Sequence, residues 1–457
     1  MRRSYSQTLL RGLGGKVLRS LVITVLALGV GELVARQVVI PDARSAPEGG
    51  DGILLKGSPW LLWELVPGIH EELGVTVQIN SEGLRGPGRG PARPRRAIAL
   101  GDSSVYGFGV EDGEVFTTLL EGRWGAEVLN AAVPGYSSSQ SWNWFQMRGI
   151  ELAPELLLVG SLWSDNNFDS FVDEELLADF SAWEGTFAAR LGAGAQASAL
   201  FRLLDWHLRV APRAAYAAKV GWTLGATPPP DGARRVPINS YAANLEAFCR
   251  RMYQRGGGVA FVALANREDL SPTAEAAWYP YRDAMRLVAS RWSAPIIELG
   301  PMFRESGLGR DSLFLDQMHP TATGHRILAD GIAATLATWP DQPVRLQAPA
   351  SPLPVFTDPF RPEVAELVAI EGDLVVPAIV GADVPRLRIE LWEDGVLLGI
   401  GGRIGGGPFR LYLRELPERA SFRVSADHAP DGPSPADRAW AAVEAVPVGG
   451  RWRVSLP

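Results

Sequence analysis

The chain holds one cysteine, Cys249, in 457 residues. That excludes an internal disulfide framework and any metal site built from several cysteines. It holds five histidines, so few side chains are available as a base near neutral pH. Basic charge is not in excess: 44 Lys and Arg stand against 51 Asp and Glu, a net charge of −7. Nucleic-acid binding, which uses clustered positive charge, is not expected. There is no internal repeat and no long low-complexity tract. "HEEL" at His70 lacks the second histidine of a zinc-protease helix, and "GLGG" and "GFGV" lack the spacing of nucleotide loops. No metal and no cofactor are expected. What remains is an ordinary globular composition, 46% hydrophobic and 21% charged, in a chain long enough for two or three domains.

Long apolar runs are also scarce, and the one candidate lies at the N-terminus. Arg2, Arg3, Arg11, Lys16 and Arg19 precede an apolar stretch from Leu21 to Ala35, interrupted by Thr24, glycines and Glu32, which resumes at Val38–Ile40. Roughly 20 apolar residues cross a bilayer, so the stretch suffices only if both pieces are used. The expectation is an anchor over residues 1–40 with its basic end in the cytoplasm and the rest of the chain outside. A cleaved signal peptide and a buried helix are the rival readings.

Residues 41–95 read as linker and lead-in, with "GVTVQINSEGLRG" alternating Val75, Val77 and Ile79 as a strand entering a turn. Residues 96–345 then alternate. Apolar strands are expected at 97–100, 126–133, 154–163, 258–265 and 295–300. Helical patterns fall between them at 114–124, from the serines at 137 onward, at 241–255 and around Pro280, with a last helix from Thr321. This rhythm predicts an α/β fold, an open parallel sheet with helices on both faces and its ligand site at the C-terminal strand ends. The interval 167–235 breaks the rhythm and reads as an inserted helical lid or side lobe. From 350 to 457 alternating strands such as "PRLRIELWEDGVLLGIGGRI", turning at Asp394-Gly395, predict a small all-β domain, sandwich-like.

The strand "AIAL" delivers Gly101-Asp102-Ser103 to a strand-to-helix turn, where a serine hydroxyl can stand exposed. Serine needs an adjacent base oriented by a third group to act as a nucleophile. Among His70, His207, His319, His325 and His428, only His319 follows a carboxylate three residues earlier, Asp316, in "FLDQMHPTATGH" just before the final helix. Such a carboxylate can hold the imidazole in the productive tautomer. Asp102 reads as a turn or structural residue, His325 as packed or exposed on the last helix, and Trp142 and Trp144 as core residues before sugar contacts. The glycines after Ser103 read as freeing the backbone for substrate.

These residues resemble the GDSL or SGNH hydrolase family. "GDSSVYGFGV" looks like its first block, "NAAVPGYSS" like its second and "DQMHP" like its last, over roughly residues 70–340. The resemblance implies a flavodoxin-like SGNH fold, Ser103 as nucleophile, and Asp316 with His319 as the rest of the triad. It also implies an oxyanion hole from the N–H groups of Ser103 and Gly135 and a third-block asparagine. That third block departs from the family's Gly-x-Asn-Asp: "SDNN" offers Asn166, or Asn167 if the alignment shifts, while an ionised Asp165 has no proton to donate. The implied activity is hydrolysis of an acyl ester on an envelope or extracellular carbohydrate or lipid. An O-acyltransferase acting on a polysaccharide, and a non-catalytic binding protein with this fold, are the alternatives.

Overall fold

The computed structural model describes residues 2–37, 44–45, 54–58, 61–88, 95–169, 172–177, 198–205, 232–271, 276–338, 344–360, 367–375, 386–404, 407–417, 421–427, 441–443, 445–448 and 451–455. Five parallel strands make the central sheet: β1 (Arg96–Gly101), β2 (Glu127–Asn130), β3 (Leu156–Gly160), β4 (Gly258–Ala263) and β5 (Ile296–Glu298). They lie in the order β5-β4-β3-β1-β2. Ala99 of β1 pairs with Asn130 of β2 on one side and Leu158 of β3 on the other. Every residue of β3 and β4 is buried, which is why these strands read as unbroken apolar runs. In a sheet of this order the winding reverses beside β1, and the C-terminal ends of β1 and β3 open a crevice.

Helices follow each strand. Phe116–Trp124 packs on Ala322–Ala337, while Ile238–Gln254 packs on both Ser138–Trp144 and Tyr279–Trp292. Their starts follow local chemistry. Ser137 caps Ser138–Trp144 through a reciprocal box with Gln140. Pro280 sits in the first turn of Tyr279–Trp292, where its missing N–H costs nothing, so it marks a late start and not a kink. Trp144 and Phe145 are buried, and Trp142 packs edge-on to Phe248, so both tryptophans serve the core.

The N-terminal helix runs Arg2–Ala35, and no helix among the described residues is long and apolar enough to cross a membrane. The transmembrane helix expected over residues 1–40 is therefore not found among them; residues 38–43, with the second apolar piece, lie outside the described residues. The side chains of Leu21, Ile23, Leu26 and Leu33 are exposed. Glu32, which interrupts the run, has a structural partner: its carboxylate accepts from Ser198 Oγ (2.7 Å) and from the N–H groups of Ala199 and Leu200 (3.0 Å each), at the start of the helix Ala199–Asp205. Of the expected lid, residues 170–171, 178–197 and 206–231 lie outside the described residues. Its two ends pair as short antiparallel strands, Phe168–Asp169 with Ala233–Arg234.

The hairpin Gly68–Glu72/Val75–Ile79 precedes the sheet. The C-terminal region is all-β. One sheet orders 355–356, 396–404, 386–393, 421–427 and 441–443, and the other 407–413, 368–375, 451–455 and 445–448. Their inner faces share a second apolar core around Ile389, Leu391, Leu411, Leu413 and Phe422. Asp394 and Gly395 both take positive φ (46° and 82°), the geometry of a two-residue hairpin turn.

Candidate active site

The site forms where β1 ends. Asp102 caps the one-turn helix Ser103–Tyr106: one carboxylate oxygen accepts from Ser104 N–H (3.0 Å) and the other from Trp163 N–H (2.9 Å), beyond the end of β3. Full burial pushes its carboxyl up to about 6, against the pull of these hydrogen bonds. Asp102 thus joins two loops and is structural, as its turn position suggests. Gly107, in the left-handed region (φ 95°), closes the short helix by donating its N–H to the Ser103 carbonyl at 3.0 Å. The glycine shapes the turn that holds Ser103, where sequence alone suggested it opens room for substrate.

Ser103, buried to all but 4% of its surface, lies 2.7 Å by Oγ from His319 Nε2. His319 Nδ1 lies 2.6 Å from Asp316 Oδ2. Asp316 Oδ1 accepts from the N–H groups of Met318 (2.8 Å) and His319 (2.9 Å), so the carboxylate is oriented by its own loop. Partial burial raises the Asp316 carboxyl, but the hydrogen bond and charge of His319 with these backbone donors outweigh it and hold it at about 2. The carboxylate is ionised throughout the neutral range. Phe108 closes one side of the imidazole, its ring centroid 4.7 Å from that of His319. The structure therefore brings Ser103, His319 and Asp316 into one hydrogen-bonded line, Oγ–Nε2 and Nδ1–Oδ2.

Gly135 and Asn166 lie on the loops after β2 and β3, the two strands flanking β1, and neither is hydrogen-bonded to Ser103 among the described residues. Gly135 needs to be glycine twice over: its φ is 78°, and a Cβ there would stand 2.9 Å from the Trp63 ring. Trp63 also donates from Nε1 to the Pro134 carbonyl at 3.0 Å. Asn166 ends the one-turn helix Trp163–Asn166, and its amide donates to the Leu162 carbonyl at 2.6 Å, which leaves a second amide hydrogen. The Asn167 amide nitrogen is buried without a partner among the described residues. Asp165 turns away to accept from Ser138 N–H (2.8 Å) and its hydroxyl, and burial lifts its carboxyl to about 7.

Three arginines that sequence reasoning passed over brace these loops. Arg85, from the "EGLRG" lead-in, donates to the carbonyls of Tyr106, Gly107 and Val110 behind the Ser103 turn and pairs with Asp112 at 3.0 Å. Arg235 is fully buried; it pairs with Asp173 and donates to the Gly135 carbonyl at 2.9 Å and to Gln140 Oε1 at 3.0 Å. Arg234 donates to the Asn166 carbonyl and forks onto Asp358. The remaining histidines have other work where described. His325 is buried, stacked on Phe116, and desolvation drops its imidazole to about 3; His70 Nε2 meets the Val66 carbonyl at 2.9 Å. No group of three or more His, Cys, Asp or Glu fit to hold a metal ion occurs among the described residues.

No protein-family model matches the chain, and no curated protein matches it. Among solved structures it is similar to an alpha/beta hydrolase from the Lake Arreo metagenome, at 16% identity and TM-score 0.35 over 54% of this chain and 96% of that one. It is similar to a lipase/acylhydrolase from Enterococcus faecalis, at 13% identity and TM-score 0.34 over 56% and 100%. An acetylxylan esterase from Geobacillus stearothermophilus follows at 13% identity and TM-score 0.33 over 53% and 94%. At TM-scores of 0.33 to 0.35 these overlaps are loose.

Proposed function

We propose that the chain is a serine esterase of the SGNH type working through an acyl-enzyme. The observation that carries this reading is the line from Ser103 Oγ to His319 Nε2 (2.7 Å) and from Nδ1 to Asp316 (2.6 Å). With the Asp316 carboxylate accepting the Nδ1 proton, Nε2 is left as the acceptor for the serine proton. Ser103 Oγ attacks the ester carbonyl as its proton passes to Nε2. The tetrahedral oxyanion is held by the N–H groups of Ser103 and Gly135 and the Asn166 amide. The imidazolium returns the proton to the departing alcohol, and the acyl group stays on Oγ. Water, deprotonated by the same nitrogen, then releases the acid and restores the serine.

The substrate in this reading is an acyl ester on an envelope or extracellular carbohydrate or lipid. It is reached by a domain held at the outer side of the cytoplasmic membrane. The exposed apolar side chains between Leu21 and Val34, behind a basic N-terminal segment, support membrane attachment. The test is the full chain in detergent, offered p-nitrophenyl acetate with and without a sugar acceptor, with acetate and acetylated sugar followed separately. Acceptor-independent acetate release with fluorophosphonate labelling of Ser103 is the expected result. Acetyl transfer that requires the acceptor would make the protein an O-acyltransferase with the same triad, and no turnover or labelling would leave it a binding protein.

A further inference from the structure

The loop bearing Asn166 is held from a distant part of the chain. Asp358 belongs to the segment that opens the C-terminal β region: its neighbours Val355–Phe356 pair with Gly399 and Ile400, and Thr357 N–H donates to the Ile400 carbonyl at 2.9 Å. The same segment is pinned to the catalytic half, where Asn239 Oδ1 accepts from Phe356 N–H (2.9 Å) and Asn239 Nδ2 donates to its carbonyl (3.2 Å). From there Asp358 takes a two-pronged hold on Arg234, Nε to Oδ2 at 2.6 Å and Nη2 to Oδ1 at 3.0 Å, with both side chains almost wholly buried. The remaining guanidinium nitrogen, Nη1, donates to the Asn166 carbonyl. Phe168 covers the guanidinium face at 4.0 Å, and Nη2 also reaches the Ala277 carbonyl at 3.1 Å.

We infer that Asp358 and Arg234 are positioning residues for the Asn166 oxyanion donor, so that the C-terminal β region completes the catalytic site. This inference rests on the proposed role of Asn166. A planar guanidinium held by a carboxylate fork has its third direction fixed, and that direction ends on the backbone of the donor residue. Arg234 cannot shift without dragging the Asn166 peptide or losing the bond. An oxyanion donor works only when it is already in place, and a displacement of about 1 Å in such a group can cost about 10²-fold in rate. Lysine cannot replace this arginine, because an ammonium that pairs with Asp358 lacks the fork that reaches the Asn166 carbonyl at the same time.

The experiment uses the full chain and the kinetics of p-nitrophenyl acetate hydrolysis, below the melting temperature of every variant. Asp358→Asn and Arg234→Lys are each expected to lower kcat by about 10²-fold with KM little changed, and the double variant to be no worse than either. In an Asn166→Ala background, Asp358→Asn is expected to add no further loss, because the group it positions is gone. A normal kcat in Arg234→Lys, or losses that multiply with Asn166→Ala, would overturn the inference. If Asp358→Asn does not fold, Arg234→Lys decides alone, alone and in the Asn166→Ala background. A wild type with no turnover and no fluorophosphonate label on Ser103 would instead overturn the function itself.

Discussion

Ser104 Oγ donates to the Met318 carbonyl at 3.0 Å, which ties the nucleophile turn to the loop carrying His319 across 214 residues of sequence. The residue beside the nucleophile thus sets its distance to the base. Ser104→Ala removes the tie without removing any triad group. The expected outcome is a fall in kcat of about 10-fold or more, from a slackened Oγ–Nε2 contact, with recovery in Ser104→Thr. Steady-state kinetics on the three proteins check it; an unchanged kcat in the alanine variant shows that the loops hold their spacing without this bond.

Ser103→Ala should abolish turnover while leaving the fold intact, since removing the nucleophile of such a triad typically costs several orders of magnitude. A fluorophosphonate probe should label the wild type and not the variant. Labelling that persists would place the nucleophile at another serine.

Asp316→Asn tests the tautomer directly. The carboxamide oxygen can keep the bonds from Met318 and His319 N–H, which turns its NH2 toward Nδ1. Nδ1 must then accept, the proton moves to Nε2, and Nε2 can no longer take the serine proton. A loss in kcat of about 10³–10⁴-fold is expected, with the variant's circular dichroism unchanged. Because Asp316 itself is held at about 2, its protonation should not contribute to any acid limb of the wild-type rate profile above pH 4.

In the third block, Asn166→Ala should lower kcat by about 10²–10³-fold with a smaller effect on KM, because the bond strengthens as charge develops on the carbonyl oxygen. Asn167→Ala should be milder. If Asn167→Ala alone carries the loss, the buried amide at 167, without a partner among the described residues, is the donor, and the alignment moves by one residue.

Asp165 links pH to stability. Its folded carboxyl, raised by burial to about 7 from the ordinary carboxylate range, binds a proton more tightly in the folded chain. The stabilisation is full below the unfolded value, and it is lost as pH rises from about 4 to 7. Asp165→Asn keeps an acceptor for Ser138 and removes the titration. Thermal melts from pH 4 to 8 should show the wild type losing ground to the variant toward the alkaline end. A constant difference across that range would rule out this linkage.

The candidate site was legible where it was local. Ser103 sits in one block and Asp316 with His319 in another, and short-range spacing carries their meaning. The parallel strands were legible because burial on both faces leaves unbroken apolar runs such as Leu156–Val159. Arg234 and Arg235 were not, because their acceptors are carbonyls of Asn166 and Gly135 and carboxylates of Asp358 and Asp173. A carbonyl has no signature in a sequence, and Asp358 lies 124 residues away. The partner of Glu32 is hidden for a similar reason: its carboxylate caps another helix, and Ser198 lies 166 residues later.

The antiparallel pairing of Phe168–Asp169 with Ala233–Arg234 has an evolutionary reading. It works as a seam. Both margins of a long excursion are sewn together beside the donor loop, so the chain between them begins and ends at nearly one point. Lengthening such an excursion twofold costs only about 0.6 kcal/mol of closure entropy. A lineage can lengthen or shorten what lies between the margins while the stitched edge keeps the Asn166 loop where it is.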